Sequence, residues 1–264
     1  MTTFTRRLAN RLERLCGVHI FRRSTGRNWS GSNFERTMFG YLRPDCIFDV
    51  GANGGQFGYN LRNFVGYQGA ILSFEPNPTA FARLEKLSAL DPDWHCFDYA
   101  LGSETGRAKL NIMKTDVFSS LLVPGGESDK YFPEDNQVAQ QIDIEIQTLD
   151  NLFPGLQVKF GFERPFLKLD TQGFDLEVVK GGQAVLPAFT GLLSEISVIP
   201  LYEKQPDLAE SIAYLRACGL DLVDLFSLHP DNWFQPLLEC NAYFLRRDLA
   251  QPMGGVERLV TQTN

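Results

Sequence analysis

The sequence predicts an α/β domain built on a mostly parallel sheet. Three observations predict it. From Asp45 onward, short apolar runs alternate with stretches of helical period, the pattern of βαβ units. The first of those runs ends in a glycine-rich loop, DVGANGG, placed where a strand should turn into a helix. The chain has 264 residues, 44% hydrophobic and 22% charged, which is enough to bury one sizeable core without disulfide or metal staples.

Taken in order, the chain opens with an arm in which Phe4, Leu8, Leu12 and Leu15 recur at helical spacing with arginines on the flanks. RRSTGRNWSGSN then reads as loop, being rich in Gly, Ser, Asn and Arg and having no period. CIFDV (46–50) is a buried strand, and after the glycine loop a helix runs from about Gln56 to Phe64. AILSFEP (70–76) is the second strand, TAFARLEKLSAL (79–90) a helix with apolar residues at 81, 84, 87 and 90, and WHCFDYALG (94–102) the third strand. AKLNIMK (108–114) and IDIEIQTL (142–149) read as further strands inside an insertion spanning about 103–150. PFLKLD (165–170) and GLLSEIS (191–197) return to the core, with FDLEVVKGG as the helix between them. LAESIAYLRACG is a last helix, and DLVDLF and NAYFLRR are closing strands. No linker splits the chain, so the organisation is an arm over 1–40 and one domain over 41–264.

The formal net charge is −7, but residues 1–27 hold seven arginines against one acid, Glu13, which leaves about −13 on the rest. An acidic body excludes a general nucleic-acid binder, whose phosphate contacts need a broad basic surface. The basic arm has two readings: a helix packed on the domain, or peripheral contact with an anionic membrane. The five cysteines, Cys16, Cys46, Cys96, Cys218 and Cys240, are irregularly spaced and form no CxxC pair, so they read as reduced small hydrophobes. No run is long enough to span a membrane, and no apolar segment of a secretion signal follows the first arginines; the expected location is the cytoplasm.

The chemistry concentrates at strand ends. Asp49, Gly51, Ala52 and Asn53 lie where an open α/β sheet places its ligand crevice, and glycine there lets backbone approach a ligand. The spacing is GxxGG rather than GxGxxG, which counts against a pyrophosphate cradle and hence against a nicotinamide oxidoreductase. Glu75 ends the second strand about 20 residues further on, where a carboxylate can accept both hydroxyls of a ribose. Asp98, with the backbone near Ala100 and Leu101, is placed to border an adenine.

FDVGANGGQF, LSFEPNP, FLKLDTQGFDLEVVKGG and the acid of LLSEIS, in this order, resemble the FkbM-type S-adenosylmethionine-dependent methyltransferases. The resemblance covers about residues 45–247. It implies the class I methyltransferase (Rossmann-like) fold: a seven-stranded, mostly parallel sheet with helices on both faces and one antiparallel strand, here NAYFLRR. It also implies S-adenosylmethionine as cofactor and methyl transfer to a hydroxyl of a sugar, glycolipid or secondary metabolite. The expected cofactor-binding residues are then Asp49, Gly51, Ala52, Asn53, Gln56, Phe57, Glu75, Pro76, Asn77, Asp98, Ala100, Leu101 and Asp170. Many relatives read DVEG where this chain has Asp170-Thr-Gln172-Gly173, so a role for Glu at 172 does not carry over.

An alcohol acceptor must lose its proton as the C–O bond forms, so a base must lie within reach of it. Asp170 and Glu195 end adjacent apolar strands, and His229 follows in a late loop; these three are the expected catalytic residues. Asp170 has a second reading, as an acid capping the next helix or holding the amino group of the cofactor. Asp170 and Glu195 also have two joint readings, a shared proton or a divalent metal held between them, although two carboxylates are too few to name a metal site. Lys168 reads as a snorkelling side chain, and Ser119, Ser120 and Tyr131 as insertion residues near the ligands. A protein that keeps this fold and binds without turnover is the non-enzymatic alternative.

Overall fold

The computed structural model describes residues 29–135, 137–228 and 236–250. The arm helix expected around Phe4 to Leu15 and the candidate base His229 lie outside them. Among the described residues, no helix is long and apolar enough to cross a membrane.

The chain enters through helix α1 (Trp29–Leu42), followed by β1 (Cys46–Val50). Helix α2 (Gln56–Asn60) continues as one π-helical stretch, Leu61–Val65. Then come β2 (Ala70–Phe74), α3 (Pro78–Ser88), β3 (Trp94–Phe97), β4 (Ala100–Leu101), β5 (Gly106–Met113), α4 (Gly126–Tyr131) and β6 (Val138–Gln147). The second half runs α5 (Leu149–Phe160), β7 (Pro165–Leu169), α6 (Asp175–Lys180), β8 (Gly191–Ser197), α7 (Leu208–Ala217), β9 (Leu220–Ser227) and β10 (Glu239–Arg246).

Seven strands form one sheet in the order β3-β2-β1-β7-β8-β10-β9, and β10 runs antiparallel to both its neighbours. The order winds outward from β1 to β3 and then restarts at β7 on the other side of β1. The carboxyl ends of β1 and β7 therefore flank a topological switch point, where an open α/β sheet binds its ligand. Strand alternation divides the core into two layers. Phe48, Val50, Phe74, Leu167 and Leu169 pack under α5, α6 and α7, whereas Ile47, Ile71, Phe166 and Tyr243 pack under α1, the α2 segment and α3.

Helix starts follow local chemistry. The Asn77 side chain accepts the Thr79 N–H with Pro78 in the first turn, and Asp207 and Glu210 form a reciprocal capping box for α7.

Four sequence readings need correction. The loop reading of RRSTGRNWSGSN fails at its end: α1 starts at Trp29 and runs past the boundary drawn at residue 40, because Met38, Phe39 and Leu42 are buried against the sheet and outweigh a poor helix-forming start. WHCFDYALG is not one strand. The chain bends at Asp98 and Tyr99, so β3 joins the large sheet while β4 pairs in parallel with β6 of a separate three-stranded sheet. Helix α5 was not expected; Pro154 and Gly155 disguise it, but the Thr148 cap and the burial of Leu149, Phe153 and Leu156 sustain it. Short α4, inside the insertion, was also missed.

Candidate active site

A cavity of about 590 Å³ opens over the switch point, within the range of small-molecule sites. Its floor is the ends of β1, β2, β7 and β8, and its cover is the insertion from Asp116 to Leu121 with Leu110 and Phe132.

The first wall is the glycine loop. Gly51 has φ +72°, and a Cβ there would run into the Asp170 carbonyl oxygen, so only glycine lets the β1 and β7 ends close on each other. All five loop N–H groups are used inside the protein. Gly51 and Ala52 donate to the Phe74 carbonyl at 3.0 and 3.1 Å, and Gly55 donates to the Ala52 carbonyl at 2.9 Å. Asn53 donates to Glu75 Oε2 at 2.7 Å, and Gly54 to Asn53 Oδ1 at 2.6 Å. The loop itself therefore keeps no free N–H donor for a phosphate.

Glu75 is 7% exposed, and its two oxygens accept the N–H groups of Asn53 and Asn77 at 2.7 and 2.8 Å. A carboxylate has about four lone-pair sites. Each oxygen thus keeps capacity for a hydroxyl donor from the cavity it lines. Burial pushes this carboxyl up to about 7, against the pull of the Asn77 and Asn53 N–H groups and of Lys168. Donors on a bound ligand would favour the charged form.

Beneath the loop lies an ion pair set by register. Asp49 sits between Ser73 of β2 and Lys168 of β7, its Cα partners on either side. Ser73 donates to Asp49 Oδ2 at 3.1 Å, and Lys168 Nζ lies 3.0 Å from Asp49 Oδ1, an ionic contact rather than a directed hydrogen bond. Lys168 Nζ also donates to the Gly51 carbonyl at 2.9 Å, lies 3.5 Å from Asp170 Oδ2 and faces the Phe57 ring at 5.5 Å. Burial alone would lower the lysine, but Asp49 and Asp170 reverse this and raise it above its ordinary value. Lys168 does not snorkel; it is buried and pins the glycine loop from below.

Three carboxyls crowd the far end, each from a different strand end: Asp170 after β7, Glu195 in β8 and Glu239 in β10. Gln172 Nε2 donates to Asp170 Oδ1 at 3.1 Å and to Glu195 Oε1 at 3.3 Å. Glu239 accepts from Ser197 Oγ at 3.2 Å. Burial, then Asp170, Glu239 and Asp175, push the Glu195 carboxyl well up; burial, then Asp170, push Glu239 up to about 7. Asp170 does not cap the next helix: the N-cap position of α6 is Phe174, with no side-chain cap hydrogen bond, and the buried Asp175 accepts from Thr171 and Ser194.

Of the expected cofactor residues, Gly51, Ala52, Asn53, Gln56, Phe57, Glu75, Pro76, Ala100, Leu101 and Asp170 line the cavity. Three do not. Asp49 lies beneath the loop, Asn77 turns its side chain to cap α3, and Asp98 is exposed at the bend between β3 and β4. Ser119 and Ser120 line the cavity and Tyr131 does not. Sequence reasoning missed Glu239 and Gln172. Glu239 carried no signal, since only the antiparallel pairing with β8 brings it opposite Ser197.

Residues 49–222 match the Methyltransferase FkbM domain, well over half of the chain. No curated protein matches the sequence. Among solved structures, Methyltransferase FkbM from Methylobacillus flagellatus KT superposes with a TM-score of 0.49 at 15% identity, covering 76% of this chain and 43% of that one. This chain thus spans less than half the length of that relative. Aeropyrum pernix fibrillarin, with natively bound S-adenosyl-L-methionine, gives a TM-score of 0.41 at 13% identity over 76% of this chain and 66% of that one.

Proposed function

The chain belongs to the FkbM methyltransferase family, and from that premise we propose that it transfers the methyl group of S-adenosylmethionine to a hydroxyl oxygen of a sugar, glycolipid or secondary metabolite. The seven-stranded sheet with its single antiparallel strand is the class I methyltransferase fold, and S-adenosylmethionine is the cofactor that goes with the family. The residues present fit it. Glu75 keeps lone pairs for ribose hydroxyls, the glycine loop allows close approach, and the loop has no free N–H that would call for a phosphate. When bound, this cofactor supplies a reactive sulfonium methyl.

What the protein must add is alignment, exclusion of water and a place for the acceptor's proton. The insertion covers the crevice and is tied to the glycine loop by Arg83, which pairs with Asp116 and donates to Asn53 Oδ1 at 3.2 Å. The observation that carries the hydroxyl reading is Asp170: it ends β7 in the cavity, beside the buried Lys168 cation. Its Oδ2 is the atom that receives the hydroxyl proton.

The test is transfer of labelled methyl from S-adenosylmethionine to a panel of hydroxylated sugars, glycolipids and natural products, with Asp170→Asn as control. Turnover that drops on the order of a hundredfold or more in Asp170→Asn, with S-adenosylhomocysteine binding retained, supports the reading. Undiminished transfer by Asp170→Asn would remove Asp170 as the base. Membrane contact through residues 1–27 belongs to the same proposal, since a glycolipid acceptor would lie at a bilayer. It predicts sedimentation with anionic vesicles that is lost when those residues are deleted.

A further inference from the structure

We propose that Gln172 is a positioning residue: its side-chain amide bridges Asp170 and Glu195, giving one N–H to each, and so holds the two carboxyls in place and favours their charged forms. This rests on the reading of Asp170 as the group that receives the acceptor's proton.

The amide has only one workable orientation. Its nitrogen faces two carboxyls, at 3.1 Å from Asp170 Oδ1 and 3.3 Å from Glu195 Oε1, and its oxygen accepts from the Tyr202 hydroxyl at 3.1 Å. Turned over, it would set an oxygen against two groups that mainly accept and a nitrogen against a hydroxyl. Each of its two hydrogens is thus spent on a different carboxyl.

The backbone fixes that aim. Gln172 has φ +53°, an uncommon conformation for a residue with a side chain, and its carbonyl accepts from Ser120 Oγ at 2.7 Å. Gly173 follows at φ +90°, where a Cβ would press on the Gln205 side chain. The Tyr202 hydroxyl also lies 2.9 Å from the Phe118 carbonyl. Through Ser120 on its carbonyl and Tyr202 on its amide oxygen, Gln172 is therefore tied to the insertion that covers the cavity.

The two carboxyls have different neighbours. Asp170 has Lys168 beside it at 3.5 Å. Glu195 faces the acids Asp170, Glu239 and Asp175, with Lys168 as a weaker influence and Tyr202 nearby, and burial holds its carboxyl well above the usual range. A glutamate at 172 would add a further acid between them, whereas the amide adds two donors.

The experiment is a carbon-13 carboxyl titration of Glu195 by NMR, its resonance identified by loss in Glu195→Gln, in the full chain without acceptor. Removing the donor in Gln172→Leu should move the Glu195 midpoint up by about one pH unit or more, a tenfold change in proton affinity, and Gln172→Glu should move it further. An unmoved midpoint in a folded Gln172→Leu protein overturns the proposal. Where Gln172→Leu does not fold, Tyr202→Phe decides. Loss of the hydroxyl that orients the amide should give a smaller upward shift, and no shift overturns the proposal. The titration needs no methyl transfer, so its failure is separate from failure of the hydroxyl reading, which Asp170→Asn tests.

Discussion

The two ends of the cavity are built on different principles. At the β1–β2 end the loop donors are matched inside the protein: every N–H of the glycine loop has a partner, and Asp49 is flanked by Ser73 and Lys168 in strand register. At the β7–β8–β10 end three carboxyls share one amide, one hydroxyl donor and a lysine already committed to Asp49. The first end is a finished receptor whose shape precedes its ligand. The second holds groups whose protonation depends on one another, which suits proton transfer more than tight binding.

The largest effect that would break this contrast comes from Lys168. Lys168→Met strands the buried Asp49 carboxylate, and urea or thermal unfolding should show a loss of about 3–5 kcal/mol. The double variant Asp49→Asn/Lys168→Met should recover much of it; no recovery would mean that the lysine acts on the loop carbonyl and Asp170 alone. Next is Gly51→Ala, which puts a Cβ into the Asp170 carbonyl at positive φ. It should cost roughly 2–3 kcal/mol of stability and loosen both ends together, read as a lower unfolding midpoint with weaker S-adenosylhomocysteine binding.

Glu75→Gln addresses only the β1–β2 end. Calorimetry should show S-adenosylhomocysteine affinity reduced by about 1–3 kcal/mol with little change in fold, and an unchanged dissociation constant would take Glu75 out of the cofactor site. The smallest effect is its pH dependence. Ligand hydroxyls donate to the charged carboxylate, and the free carboxyl titrates at about 7, so protonation competes with binding. Affinity should be level above pH 8 and fall about tenfold by pH 6, a dependence that Glu75→Gln removes.

The β1–β2 end was legible in the sequence because its parts are contiguous. A buried strand, a glycine loop and a strand-end acid announce themselves within thirty-odd residues of chain, from Cys46 to Asn77. Asp98 misled because an apolar run continues through a bend that only the second sheet explains. The other end is assembled by register across distant segments. Lys168 looked like a surface cation because nothing in PFLKLD says that it will lie beside Asp49, and Glu239 gains its meaning from β10 running antiparallel to β8. Gln172 stood out only as a departure from the pattern of relatives. The amide's work depends on Tyr202, thirty residues away.

Helix α1 carries one more consequence. Phe34 packs on Phe226 and Tyr243, Phe39 packs on Phe166, and the Tyr243 hydroxyl donates to Glu35 at 2.8 Å, so the helix lies across the sheet from its outer strands to its centre. A fragment begun at residue 41 would bare Ile47, Phe166 and Tyr243 as one greasy, adhesive flank. The smallest portion worth expressing starts no later than Trp29, and the catalytic half of the molecule is inseparable from the stretch that leads into it.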